Sequence, residues 1–352
     1  MSASPNHFSI RPEWLALHDE AALEPERPVV DAHHHLYDRP GLRYLLDEYL
    51  QDTDLGHNLR ASVFVQARAM LRQDAPPNLQ PIGEAEFVNG VAAISASGLY
   101  GSARICAGIV GFADLTLAHE VAPVLERLIM AGGGAVEEGG RFCGIRQTLC
   151  WDKDTLLLNP AYPTTADMME SEKFLTGFGY LSRFGLSFEA WSFFHQLDKV
   201  ADLARRFPET PIVLNHCGGI LRIRDYAERP DIYAAWKAGI SNLATCPNVM
   251  VKLSGLGMRI SGFDFDRRET PPSSDILADA WRPWVEHCLE AFGPDRVMYG
   301  SNFPVDKGSY SFKVGLNALK KITRDASEEA KDSIFWRSAQ RFYRLPDGLI
   351  GA

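Results

Sequence analysis

The sequence lacks the cysteine patterns that stabilise small secreted domains or build cysteine-based metal sites. Its 352 residues include six cysteines, and no two of them form a CxxC pair. Several of the six lie inside apolar segments, which is typical of reduced, buried thiols. This pattern excludes a disulfide frame and a zinc knuckle.

The sequence also lacks long apolar segments and long basic segments. No uninterrupted apolar stretch could span a bilayer, and the first residues show neither the charged nor the apolar region of a signal peptide. The 36 basic and 45 acidic residues give a net charge of −9, which argues against nucleic acid and membranes as partners. We expect a cytoplasmic protein with a small-molecule partner, and self-association stays open.

What is present is an alternation of short β-rich segments with longer helical ones, uninterrupted by repeats or a Pro/Ser-rich linker. Eight parallel strands with interleaved helices predict a distorted (β/α)8 TIM barrel, with its active site at the carboxyl ends of the strands. We expect residues 29–352 to form this single domain and residues 1–28 to form an N-terminal extension packed on it. The predicted strands are 29–32, 61–66, 105–110, 144–148, 186–190, 212–215, 249–253 and 297–300.

Three consecutive histidines follow the first predicted strand. Because alternate side chains of an extended chain share a face, His33 and His35 should point one way and His34 the other. Neutral imidazoles are common zinc ligands, and the upstream carboxylate of Asp31 could support them. The alternative interpretation is a solvated loop of histidines.

Polar residues also follow the other predicted strands, and seven of the eight strand ends carry at least one. In a TIM barrel these ends converge on one face, so their side chains should surround a common site. The third strand offers only Asp114, several residues downstream. The residues at the other ends are His33 and His35, Gln66, Arg146, Glu189, Asn215 and His216, Lys252 and Ser254, and Ser301 and Asn302.

Eight sequence motifs carry or surround these residues: DAHHHLYD, SVFVQA, GEAEFVNG, GIRQTL, LSFEAW, IVLNHCGG, VKLSG and MYGSNFPVD. In this order and spacing they resemble the amidohydrolase superfamily, and more narrowly its branch of 2-pyrone-4,6-dicarboxylate and sugar lactonases. The resemblance extends from about Val29 to Pro304. It implies a hydrolase that adds activated water to a cyclic ester, or to a related carbonyl compound that carries an acidic or aromatic group.

The resemblance places His33, His35 and His216 at the reacting centre, both as catalytic residues and as metal ligands. In the family an aspartate on the eighth strand completes this centre as general base, and here that position is Asn302. An amide cannot take up a proton at working pH. Taken alone, His216 could also be a hydrogen-bonded core histidine.

Three arrangements could replace the missing aspartate. The carboxylate of Asp306 could fold back into the mouth, or Glu189 could reach the centre from the fifth strand. Alternatively, Asn302 only orients water or substrate while a metal-bound hydroxide attacks. Each carboxylate also has a structural interpretation, Asp306 as a loop or cap residue and Glu189 as an ion-pair partner of Arg146.

The sequence also leaves undecided whether a metal ion is bound and which residues contact the substrate. A divalent ion, zinc first and manganese second, could bind the three histidines, but the loss of the aspartate weakens that site, and some lactonases of this branch work without metal. The guanidinium of Arg146 matches a carboxylate, unless it forms a buried ion pair with Glu189 or Glu84. The expected substrate-binding residues are Arg146, Gln66, Lys252 and Ser254.

Two other functions fit the same motifs. The first is a metal-dependent carboxy-lyase that acts on an aromatic acid at the same centre. The second is a non-catalytic, small-molecule-binding barrel that lost its base at Asn302. The polar residues retained at the other strand ends argue against this second function.

Overall fold

A computed structural model describes residues 8–349 of the chain. Its main sheet has eight parallel strands, each paired with the next barrel strand in sequence, and helices lie between them. This is a nearly closed (β/α)8 TIM barrel, which confirms the predicted fold. The strands are β1 (Pro28–His34), the separate hairpin β2 (Tyr37–Arg39) and β3 (Leu42–Tyr44), and then β4 (Asn58–Val65), β5 (Arg104–Gly111), β6 (Phe142–Thr148), β7 (Ser187–Trp191), β8 (Ile212–Leu214), β9 (Val249–Leu253) and β10 (Val297–Tyr299).

The helices pack their apolar faces on the outside of the barrel. Several begin at a serine whose side-chain oxygen accepts a backbone N–H of the first turn, as at Ser171, Ser273 and Ser311. The helices are α1 (Pro12–Leu15), α2 (Leu46–Thr53), α3 (Ile82–Ala96), α4 (Ala122–Ala131), α5 (Glu172–Arg183), α6 (Leu197–Arg206), the kinked α7 (His216–Gly219), α8 (Ile232–Ala244), α9 (Ser274–Phe292), α10 (Phe312–Ile322), α11 (Glu328–Asp332) and α12 (Ser338–Tyr343).

The barrel closes between β1 and β10 at the mouth. The backbone N–H of Asn302 donates to the carbonyl of His33 at 2.7 Å, and the N–H of His35 donates to the carbonyl of Phe303 at 2.8 Å. The carboxylate of Asp31 accepts bonds from the backbone and the hydroxyl of Ser301 at 2.7 and 2.6 Å. The first and last strands are therefore fixed to each other where the histidines lie.

The interior of the barrel below the mouth is a small apolar core. Side chains such as Val30, Val63 and Met298 fill it, and the C-terminal residues Tyr343 and Leu345 pack into the same cluster. A much larger cluster lies between the strands and the surrounding helices. The polar side chains of the mouth therefore rest on a packed floor to which the C-terminus contributes.

The N-terminal segment runs along the outside of the barrel. Trp14 donates its indole N–H to the carbonyl of Arg268 at 3.1 Å, and the backbone N–H of Leu23 donates to the amide oxygen of Asn317 at 2.8 Å. Residues 1–7 of the expected extension lie outside the described residues. Within residues 8–349, no helix is long and apolar enough to cross a membrane.

Candidate active site

Strand β1 is irregular just before His33 and His35 enter the mouth. Its pairing with β4 shifts register between Asp31 and His34, which interrupts the simple alternation of side chains. The rings of His33 and His35 have centroids 5.0 Å apart, whereas His34 stacks on Tyr49 of α2 at 4.2 Å. The opposite orientation of His34 is confirmed. The carboxylate of Asp31 accepts a bond from the Tyr49 hydroxyl at 2.8 Å, so this side chain also reaches toward α2.

His216 adds a third imidazole at the end of β8. Its ring centroid lies 4.4 Å from that of His33, and its Nδ1 is 2.9 Å from the hydroxyl of Ser254. The backbone of His216 is left-handed, with φ of 55°, a strained conformation that is concentrated at functional sites. A Cβ at Gly255 would lie 2.5 Å from the ring, so only glycine leaves room for it there.

Two basic side chains face the two ring nitrogens of His33. Nη1 of Arg146 lies 3.2 Å from Nε2, and Nζ of Lys252 lies 3.2 Å from Nδ1. Burial first, and then the charge of Lys252, holds the pKa of His33 well below its usual range. Burial also lowers the pKa of His35 and of His216 well below the usual range, with Arg146 as the next cause for both. The three imidazoles are therefore neutral at pH 7.

Glu189 lies beneath this cluster and is fully buried. Its carboxylate oxygens are 2.7 and 2.8 Å from Nζ of Lys252, and it accepts a bond from the amide of Asn215 at 2.5 Å and another from the hydroxyl of Tyr343. The structural alternative, an ion pair of Glu189 with Arg146, is not what the structure shows, because the partner is Lys252. With these donors around it, Glu189 holds Lys252 in place, and this arrangement does not favour a role as general base.

Asn302 and Asp306 form a hydrogen-bonded pair on the β10 side of the mouth. Nδ2 of Asn302 donates to Asp306 at 2.8 Å, and the same carboxylate accepts the N–H of Gly257 at 3.0 Å and the hydroxyl of Tyr310 at 2.6 Å. Burial raises the pKa of Asp306 to about 6. Because the amide nitrogen of Asn302 points to Asp306, its Oδ1 is the atom left to accept a hydrogen bond from water or substrate.

The segment after β4 orients two further groups. The carbonyl of Val65 lies 2.7 Å from Nδ1 of His35, and the carbonyl of Gln66 accepts Nη2 of Arg146 at 2.5 Å. A carbonyl can only accept, so the proton of His35 sits on Nδ1 and its lone pair on Nε2. Two buried donors, Nε of Arg146 and Nε2 of Gln66, have no hydrogen-bond partner in the structure. They are suited to an acceptor oxygen of a ligand.

A cavity of about 310 Å³ adjoins this cluster on the side of β5 and β6. Tyr162 lies between the two, since it lines the cavity and its hydroxyl donates to Oε1 of Gln66 at 3.2 Å. The other lining residues include hydroxyl, amide and charged groups as well as apolar ones. Those with polar ends are Arg68, Asp114, Thr116, Gln147, Thr148, Thr165 and Ser171.

A family model described as "Amidohydrolase" matches residues 30–345, nearly the whole barrel. The chain belongs to the amidohydrolase family. This confirms the resemblance on which the site residues were assigned. Because amidohydrolases act on small molecules, the cluster at the strand ends is the candidate active site of this amidohydrolase.

Lactonases are among the relatives found by sequence, and an amidohydrolase is among the similar solved structures. The L-fucono-1,5-lactonase of Burkholderia multivorans is 28% identical over 336 residues, which cover 90% of this chain and 96% of the relative. A zinc-bound amidohydrolase of B. multivorans has a TM-score of 0.65 at 24% identity, over 90% of this chain and 99% of that one. These relatives support an amidohydrolase barrel, and the second shows that a member of this fold binds zinc.

Two more distant structures share the fold. One is a candidate 2-pyrone-4,6-dicarboxylic acid hydrolase of Pseudomonas putida, with a TM-score of 0.58 at 15% identity over 90% of this chain and 97% of that one. The other is a manganese-bound 5-carboxyvanillate decarboxylase of Novosphingobium aromaticivorans. It has a TM-score of 0.58 at 13% identity, over 93% of this chain and 100% of that one. At these identities the likeness concerns the fold alone.

The donor set of this amidohydrolase does not fit a divalent cation in the arrangement seen. A neutral imidazole has one lone pair, and both ring nitrogens of His33 already face nitrogen donors, so His33 has none left for a metal. Across residues 8–349, no three His, Cys, Asp or Glu side chains are placed so that they could hold a metal ion. Metal ligation by His33, His35 and His216 stays a prediction for metal analysis to test.

The structure brings most of the predicted residues together. His33, His35, His216, Arg146, Lys252, Ser254 and Gln66 form one connected cluster, with Glu189 beneath it and the Asn302–Asp306 pair beside it. Sequence reasoning missed the tyrosines that complete it, Tyr162, Tyr310 and Tyr343. They come from loops and the C-terminal helix, where no periodicity or motif marks a side chain that reaches the mouth or floor.

Proposed function

We propose that this amidohydrolase hydrolyses a lactone with polar or acidic substituents, using its imidazoles and Arg146 directly. The observation that carries the proposal is the cluster of three neutral imidazoles beside two buried, unpartnered donors, Nε of Arg146 and Nε2 of Gln66. Such donors stabilise the negative charge that develops on a carbonyl oxygen during attack by water. A lactone carbonyl provides that oxygen.

His35 is the imidazole best placed to take the proton from the attacking water. Its Nδ1–H is held by the carbonyl of Val65, so its Nε2 carries the lone pair. Oδ1 of Asn302, turned away from Asp306, can orient the same water. As the new C–O bond forms and the ring C–O bond breaks, the proton passes from water to His35 and then to the leaving oxygen, and a hydroxy acid results.

The rest of the substrate would lie in the cavity behind Tyr162. Its lining of hydroxyl, amide and charged groups suits a ring with several polar substituents, and Arg68 offers a positive charge for an acidic one. The named activities of the relatives, hydrolysis of L-fucono-1,5-lactone and of 2-pyrone-4,6-dicarboxylate, are of this type. They define the first substrates to try.

A substrate panel tests the proposal. It comprises L-fucono-1,5-lactone, 2-pyrone-4,6-dicarboxylate, an aryl ester and 5-carboxyvanillate, with acid release followed for the first three and CO₂ release for the last. We expect turnover of at least one lactone and a fall of about 100-fold or more in kcat/KM for His35→Asn and His216→Asn. His119→Asn, at an exposed histidine, is the matched control.

Three results would contradict the proposal. Release of CO₂ from 5-carboxyvanillate without lactone turnover would favour the carboxy-lyase. Tight binding of a lactone without any turnover would favour the non-catalytic barrel. Full activity of both His35→Asn and His216→Asn would show that the reaction takes place elsewhere.

A further inference from the structure

The segment 65–69, directly after β4, supports two members of the proposed centre through its carbonyls. That of Val65 holds Nδ1 of His35 at 2.7 Å, and that of Gln66 holds Nη2 of Arg146 at 2.5 Å. A shift of this segment would therefore move the imidazole and the guanidinium together. Any group that fixes the segment therefore also fixes the distance between His35, the proposed base, and Arg146, the proposed oxyanion donor.

The segment has an unfavourable backbone of its own. Arg68 has φ of 57° and Met70 has φ of 50°, and left-handed conformations are uncommon for residues other than glycine. Each such residue costs about 1 kcal/mol or more and persists only where its surroundings impose it. Some neighbouring group must therefore hold the segment in this shape.

Glu84, in the first turn of α3, is that group. Its Oε1 accepts the backbone N–H of Ala67 at 2.8 Å and that of Ala69 at 2.7 Å. Its side chain is buried, and its Oε2 has no hydrogen-bond partner in the structure. One carboxylate oxygen therefore accepts hydrogen bonds from both amides that flank Arg68, the residue with the left-handed backbone.

The first turn of α3 also packs directly on the segment. A Cβ at Gly83 would lie 2.4 Å from the carbonyl of Met70, so this helix approaches the backbone as closely as it can. The other anchors are fewer. The N–H of Gln66 donates to the carbonyl of Val110 at 2.8 Å, and Arg39 donates to the carbonyl of Ala67. The backbone amides of Ala67 and Ala69 both donate their hydrogen bond to Glu84.

We infer that Glu84 is a positioning residue: by holding the amides of Ala67 and Ala69 it sets the carbonyls that orient His35 and Arg146. Glu84 does not touch substrate in this account, and no exchange of its proton is required. What matters is one acceptor oxygen at the right distance. The kinetic part of this inference rests on the proposed lactone hydrolysis, and its structural part does not.

Three variants separate the oxygen from the charge. Glu84→Gln keeps an acceptor oxygen and loses the charge, Glu84→Asp keeps the charge but withdraws it by one methylene, and Glu84→Ala removes both. Glu86→Gln is the matched control, because Glu86 lies on the same helix but is exposed and bonds to the side chain of Arg72.

Amide hydrogen exchange tests the structural part without any substrate. In Glu84→Ala and Glu84→Asp we expect the amides of Ala67 and Ala69 to exchange about 10- to 100-fold faster, because each loses the oxygen that accepts its hydrogen bond. Glu84→Gln and Glu86→Gln should stay close to wild type. Unchanged exchange in Glu84→Asp would overturn the inference, even if Glu84→Ala failed to fold.

Kinetics on the best lactone of the panel test the functional part. We expect Glu84→Asp to lose about 10- to 100-fold in kcat with a smaller change in KM, because misplacement of the reacting groups acts on the chemical step. Glu84→Gln should restore kcat to within a few fold. A loss of kcat in Glu84→Gln without a loss in Glu84→Asp would show that charge and not position matters, and would contradict the inference. If no lactone is turned over, the proposed function fails, while exchange still decides what Glu84 holds.

Discussion

Lys252 and Glu189 form an ion pair in the interior of the barrel, with Nζ 2.7 and 2.8 Å from the two carboxylate oxygens and both side chains fully buried. The hydroxyl of Tyr343 and the amide of Asn215 donate to the same carboxylate. Nζ of Lys252 also reaches Nδ1 of His33. The pair thus links the imidazole cluster of the candidate site to the C-terminal helix α12.

Removing one member of this pair should destabilise the fold strongly. Lys252→Met leaves Glu189 charged and buried without its cation, and we expect a loss of about 3–5 kcal/mol in the free energy of unfolding. Urea denaturation at pH 7.5 measures it. The double variant Lys252→Met/Glu189→Gln should recover a large part of the loss, because no unpaired charge remains. A single variant as stable as wild type would show that the pair contributes nothing.

The fold was predictable because the strands carry its strongest signal. Apolar, β-rich segments marked all eight barrel strands, and the boundary of β9 is as predicted. The hairpin of β2 and β3 was missed. Each of its two strands has only three residues, which is too short for a strand periodicity to show in the sequence.

The site was predictable as a set of residues but not as a network. That His33, His35 and His216 meet follows from the convergence of strand ends. The choice of Lys252 over Arg146 as partner of Glu189 does not, because alternation gives the face of a strand and not the depth to which a long side chain reaches. Tyr343 bonds to Glu189 across 154 positions of the sequence, a contact that only the closed barrel creates.

Restoring the aspartate at position 302 should make stability depend on pH. Asn302→Asp places a second carboxylate against Asp306, whose pKa burial already raises to about 6, so the two must share a proton. A carboxyl whose folded-state pKa is raised stabilises the fold when protonated and loses this contribution as pH rises. We expect Asn302→Asp to lose about 2 kcal/mol or more relative to wild type between pH 5.5 and 8, measured by urea unfolding.

The swapped variant Asn302→Asp/Asp306→Asn is the control for this effect. It restores one carboxylate and one amide, so its stability should follow that of wild type across the same pH range. If Asn302→Asp itself followed wild type, the two side chains would not be in contact as described.

Glu84 should make the wild-type protein less stable as pH rises toward neutrality. Burial raises its pKa to about 7 from an ordinary 4.5, and the hydrogen bonds from the amides of Ala69 and Ala67, followed by the charges of Arg146 and Arg39, offset part of that rise. The protonated form therefore favours folding, and its contribution is lost between about pH 4.5 and 7. Relative to Glu84→Gln, wild type should lose on the order of 3 kcal/mol over this range. If the free energies of unfolding of wild type and Glu84→Gln changed in parallel with pH, this prediction would be contradicted.

Arg146 should not tolerate lysine. Its Nη1 and Nη2 contact His33 and the carbonyl of Gln66 while its Nε stays available, a fork that an ammonium cannot reproduce. We expect Arg146→Lys to lower kcat/KM for the preferred lactone by about 100-fold or more, as for loss of an oxyanion donor. Arg183→Lys, at an exposed arginine, should leave kcat/KM unchanged. A loss confined to KM for acidic substrates would instead make Arg146 a carboxylate-binding residue.

Lactone hydrolysis by a metal-depleted sample tests the central claim most directly, namely that the imidazoles and Arg146 act on the lactone without a metal ion. The rate and the metal content are measured on the same protein before and after chelation. The account predicts that the rate persists when zinc and manganese are far below one ion per chain. Loss of activity on chelation, with recovery on adding zinc or manganese, would contradict it.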